Sequence, residues 1–212
     1  MENDRSILIR RTVLFGTPLL YLVLGLLHPN PDPGFGDDTG LFIGLHFAQL
    51  FLIGGLAYSL WLLVDGVENQ AARIARALIL PYVITYAAFD AVAGIAMGNF
   101  VREANAAPPA DQAAAERLID ALREETWSGY LIYALVALLW LAAAVAVVFA
   151  LRKSAPRAAL VLMGLGAAIF AVGHPQPTGP AGMALFLAGV VWLELRPRPE
   201  EASTEAISVQ PT

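Results

Sequence analysis

The chain has 212 residues, of which 58% are hydrophobic and only 15% charged, and its mean hydropathy is +0.62. The interior of a soluble domain of this length is too small to hide so much apolar surface, so the solvent the composition calls for is lipid. The net charge of −5 comes with no basic patch interleaved with aromatics, which argues against nucleic acid, and the absence of cysteine excludes disulfides, thiolate metal sites, iron–sulfur clusters and thiol nucleophiles.

Six apolar runs predict an all-α, polytopic membrane protein: a bundle of six transmembrane helices over about 7–28, 41–64, 77–98, 129–151, 158–174 and 180–195, forming one domain from 1 to 196. The first run begins like a signal peptide, with Arg10 and Arg11 before the apolar stretch. It runs too long for one and ends in Leu26-Leu27-His28-Pro29 without a small-x-small cleavage site, so it reads as an uncleaved span. Ten of the thirteen basic residues fall in segments on the N-terminal side of the map, and only Arg102, Arg117 and Arg123 fall on the other. This asymmetry predicts a multi-pass plasma-membrane protein with both termini cytoplasmic. The richness in Ala, Arg and Pro is that of high-GC bacterial coding.

The one long loop, 99–128, lies on the outer side of this map. Within it "DQAAAERLIDALREETW" predicts a short amphipathic helix, with Asp111 as its cap and Leu118, Ile119 and Leu122 on its apolar face. It would serve as a tether between spans three and four or as a lid over an outer site. Trp61, Trp127 and Trp192 fit an interfacial belt, Trp140 fits mid-span packing, and "GLG" at 164–166 fits a packing surface. Asp32, Asp37 and Asp38 form a small acidic patch in the first outer loop. The stretch 197–212 is polar and aperiodic and reads as a disordered cytoplasmic tail.

All three histidines fall in the outer half of the map. "HPNP" starts at His28 and "HPQP" at His174, each closing a span where the following proline disfavours further helix. His46 lies roughly 7–8 Å, and Asp90 roughly 12 Å, below the outer face at ~1.5 Å per residue. An unpaired carboxylate at such depth costs on the order of 2.5–3.5 kcal/mol. Tyr82, Tyr86, Asp90, Gly94 and Gly98 recur every fourth residue, which puts Asp90 on a stripe facing the bundle, with glycines above it that admit a neighbouring helix. His46 is the expected partner, with Gln49 three residues later on the same face.

Three functions fit these residues. The first is a non-catalytic membrane subunit or scaffold, alone or as a homo-oligomer, in which polar contacts hold helices together. The second is a metal or haem protein whose ligands are His28, His46, Asp90 and His174, with Zn²⁺ the natural divalent metal and a zinc-type hydrolase the natural activity. The third is a small transporter or proton relay working through Asp90 and His46. Three histidines and an aspartate resemble the set used by alkaline ceramidase-like membrane hydrolases, together with a serine. That resemblance implies zinc hydrolysis. The His-x3-His pair of that family is missing here and the span number differs by one, so membership is not assigned.

Overall fold

The computed structural model describes residues 2–29, 38–124, 130–173 and 177–196, and every regular element among them is helical. In chain order these are α1 (Glu2–Leu27), α2 (Thr39–Leu63), α3 (Gln70–Phe89), a π-helical segment (Asp90–Ala96), α4 (Met97–Ala106), α5 (Pro109–Glu124), α6 (Tyr130–Leu151), α7 (Arg157–Val172) and α8 (Thr178–Leu195). Among the described residues five stretches are long and apolar enough to cross a membrane: Arg5–Leu27, Thr39–Leu63, Gln70–Ala106, Leu131–Leu151 and Thr178–Leu195. The apolar helix α7 is shorter, at 16 residues.

The helices form a closed ring. α1 packs between α2 and α8, α2 packs on α3 and the π segment, α3 on α6, α6 on α7, and α7 on α8. Leu14, Leu56, Leu60, Trp140, Met163, Met183 and Phe186 fill its centre. The α7–α8 hairpin is the tightest seam because glycines remove the side chains between its backbones. A Cβ on Gly166 would collide with the backbone of Phe186, and one on Gly182 with that of Phe170. Gly166 therefore does what the "GLG" stretch suggested, whereas Gly164 faces open space.

Several sequence expectations are corrected. The third apolar stretch does not stop at Gly98: it begins at Gln70, capped by the Asn69 side chain on the Ala72 amide, and continues to Ala106. Asn99 and Arg102 look like loop residues, but they lie one turn apart on the same helix and hydrogen-bond to each other. Asp111 is not a cap. Its helix starts at Pro109, so Asp111 lies in the first turn, where a carboxylate favours the positive end of the helix dipole. Leu118 is 69% exposed, while Ile119 packs on Phe42, Met97 and Val101. Trp140 is buried and donates its indole N–H to the Ala167 carbonyl, and Trp61 and Trp192 are exposed. Trp127, Asp32, Asp37 and the stretch 197–212 lie outside the described residues.

Candidate functional site

The site lies where α1 ends, α2 begins and α3 passes into the π segment. His28 follows the last turn of α1, and Pro29 turns the chain away from helix. The imidazole is folded back and 6% exposed, wedged edge-on against Phe42 at 5.3 Å and His46 at 5.2 Å between ring centres. His46 and Phe42 are one turn apart on α2, with ring centres 4.4 Å apart. Across from them Asp90 opens the π segment, where one extra residue per turn loosens the helix. Gly94, on the next turn, lies flat against the His46 ring, and a Cβ there would overlap it. Gly98 does the same for Ile43 and Phe42. The glycine stripe therefore admits α2, and this close approach brings imidazole and carboxylate together.

Three polar contacts link the cluster. His46 Nδ1 is 2.9 Å from Asp90 Oδ1, the two Nε2 atoms of His46 and His28 are 3.2 Å apart, and His28 Nδ1 is 2.8 Å from the Pro29 carbonyl oxygen. The protons can be assigned from the acceptors. A carbonyl only accepts, so His28 Nδ1 carries a proton. If Asp90 is ionised, His46 Nδ1 carries one as well. Two bare Nε2 lone pairs would then face each other at hydrogen-bond distance, which is repulsive unless a cation lies between them. One further proton, on His46 Nε2, converts the clash into an N–H···N bond. It also brings the cluster of one carboxylate and two imidazoles to zero net charge, as burial at 2% and 0% exposure for His46 and Asp90 requires. Moving the His46 Nδ1 proton onto Asp90 gives a second arrangement with the same number of protons. The direction of donation is then Asp90 to His46 to His28 to Pro29. His28 fits its place as the neutral acceptor of this chain: burial, and next the adjacent His46, push its pKa down to about 4 against the opposing pull of the Pro29 carbonyl.

Behind Asp90 the surroundings are polar but incompletely paired. Asp90 Oδ2, Gln49 Oε1 and the hydroxyls of Tyr21, Tyr82 and Tyr86 are buried without a hydrogen-bond partner among the described residues. The Tyr21 and Tyr86 rings meet edge to face at 6.3 Å, and those of Tyr82 and Tyr86 at 5.8 Å. A cavity of about 20 Å³ between Tyr82, Tyr86, Tyr133, Trp140 and Phe170 has room for a single water-sized molecule. Farther along the bundle Leu14, Leu60, Val147 and Val190 close the core with apolar side chains.

The predicted metal set is not assembled among the described residues. No group of three or more His, Asp or Glu side chains there could hold a metal ion. Among the described residues Asp90 stands behind His46, bonded to Nδ1. His174 lies outside the described residues. Gln49, Tyr82 and Tyr86 are buried. Sequence reasoning missed Tyr21 and Phe42. Both had a signal: Tyr21, Gly25 and His28 follow a 0, 4, 7 spacing on one face of α1, and Phe42 precedes His46 by four.

No protein-family model, curated protein or solved structure matches the chain.

Proposed function

We propose that this is a six-span integral membrane protein that takes up and relays a proton through Asp90, His46 and His28. In this reading α7 completes the sixth crossing, which puts both chain ends on one side, the cytoplasmic one by the basic-residue asymmetry. The observation that carries the relay is the unbroken chain of hydrogen-bond contacts from the buried carboxylate to the ring at the helix mouth. Its acceptor chemistry calls for one shared proton with two positions. Helix glue alone requires no such chain, since a single Asp–His contact would already tie α2 to the π segment. The apolar core beyond the tyrosines leaves the relay open toward one end only, so it suits a proton-coupled carrier that must change conformation better than a channel.

With only three histidines in the chain, ¹⁵N nuclear magnetic resonance of histidine-labelled protein is a direct test. His28 should appear neutral and protonated at Nδ1, and His46 should carry a proton at Nε2. After a rapid drop in pH the detergent-purified wild type should take up a proton, read by a pH-sensitive dye, and Asp90→Asn and His46→Ala should not. Bare Nε2 atoms on both rings, with one equivalent of divalent metal in the purified protein, would replace the proton with a metal. Equal proton movement in wild type and variants would leave the cluster as helix packing.

A further inference from the structure

At the opposite end of the bundle from the histidines, the lipid-facing seam between α3 and α6 is a groove of about 580 Å³, within the ~300–1,000 Å³ range of small-molecule clefts. Its lining is sorted by polarity along its length. Asn69, Gln70, Arg152 and Lys153 form one end, and Ile74, Ala142, Val145 and Phe149 the rest. On α6, Ala142, Val145 and Phe149 recur every three to four positions and share one face, and Arg152 and Lys153 follow in the turn after the helix. From Phe149 to Ala142 that face runs about 10 Å toward the bilayer centre at ~1.5 Å per residue. Ile74, Val145 and Phe149 are 45%, 39% and 53% exposed, so no protein covers the apolar part.

We propose that this groove binds one anionic phospholipid, with its phosphate between Arg152 and Lys153 and an acyl chain along Ile74, Val145 and Phe149. Charge complementarity and depth support that occupant. Neither Arg152 nor Lys153 forms an ion pair among the described residues. The Arg152 guanidinium is steadied 5.9 Å over the Phe149 ring, at the point where head and chain of a lipid would meet. Basic pockets between helices at the membrane surface recognise anionic headgroups in this way. The floor is stiff, because the Asn69 side chain bonds across the seam to the Ala150 carbonyl at 2.8 Å.

Native mass spectrometry of detergent-purified full-length protein can test this, comparing phosphatidylglycerol with phosphatidylcholine of the same acyl chains. Phosphatidylglycerol should be retained preferentially, by about fivefold for each basic residue engaged. Arg152→Gln with Lys153→Gln should abolish the preference without changing the lipid-free melting temperature, since both side chains reach out of the bundle. Val145→Trp, which fills the apolar part, should weaken both lipids. Equal retention of the two lipids by the wild type, or a preference that survives the double substitution, would overturn the proposal. So would inorganic phosphate at millimolar concentration displacing phosphatidylglycerol completely, because the site would then read a free anion and not a lipid.

Discussion

Two polar clusters of the bundle differ in kind. At one end Arg10 reaches from α1 to both Glu194 oxygens on α8, at 2.6 and 3.2 Å, and to the Leu62 carbonyl on α2 at 2.8 Å. The two side chains are 30% and 14% exposed, and the pair fastens three helices in a place water can still reach. At the other end His28, His46 and Asp90 are sealed, and atoms around them have no partner among the described residues. A fastening needs neither that burial nor unpaired oxygens. The comparison separates two uses of charge: the Arg10 clamp is partly exposed and keeps hydration, whereas the histidine cluster gives it up.

The largest expected effect tests the sealed cluster. Asp90→Ala leaves a buried imidazole proton without its acceptor, and removing one partner of a buried pair costs about 3–5 kcal/mol. Thermal or denaturant unfolding in detergent should show a loss of that size, and His46→Ala in the Asp90→Ala background should cost much less than it does alone. Additive losses would mean that the two residues do not act as a unit.

A pH titration comes next. His28 has a native pKa of about 4, against about 6.5 in the unfolded chain. Between those values the unfolded state binds the proton and the native state does not. Stability is therefore full above about pH 6.5, falls as the pH drops toward 4, and levels off below, for a total on the order of 3 kcal/mol. His28→Gln should flatten this part of the curve. Among the described residues the titratable groups facing His28 are His46 and, behind it, Asp90, so the same titration on Asp90→Asn reports how far they share it. A curve unchanged in His28→Gln would assign the pH dependence to another group.

Gly94→Ala should have a smaller effect on stability and a decisive one on chemistry. The added methyl strikes the His46 ring and forces it off both of its contacts. Overpacking of this kind costs about 1–3 kcal/mol. Proton movement should stop although every titratable residue is still present. Full activity in Gly94→Ala would show that the ring's placement is not what matters.

The same residues show what a linear sequence discloses. The Asp90–His46 pairing was legible because a carboxylate deep in lipid demands a partner and the two depths agree. The stripe of Tyr82, Tyr86, Asp90 and Gly94 gave the face, and Gly94 explained how α2 comes close enough. The order of bonding was not legible. Whether Asp90 stands beside His46 as a fellow ligand or behind it as a hydrogen-bond partner depends on a few ångströms of helix approach and on the π segment, and neither leaves a mark in residue spacing. The end of the third helix was misjudged for a different reason. Polar residues such as Asn99 and Arg102 end a hydropathy run, yet they do not end a helix whose backbone remains hydrogen-bonded to Ala106.

The smallest expected effect falls on the Arg10 clamp. A partly exposed ion pair contributes on the order of 1 kcal/mol or less, because both charges keep much of their hydration. Arg10 also donates to the Leu62 carbonyl, so Arg10→Ala should cost slightly more than Glu194→Ala. The coupling measured by the double substitution should reflect only the guanidinium–carboxylate part, and it should shrink in high salt. Proton movement should be untouched by either change, since the apolar centre around Leu14, Leu60 and Val147 lies between the clamp and Tyr82. If Arg10→Ala altered the rate of proton movement without lowering stability, the clamp would have to open and close as the bundle works. The contrast between a fastening and a reactive cluster would then give way to two coupled ends of one moving part.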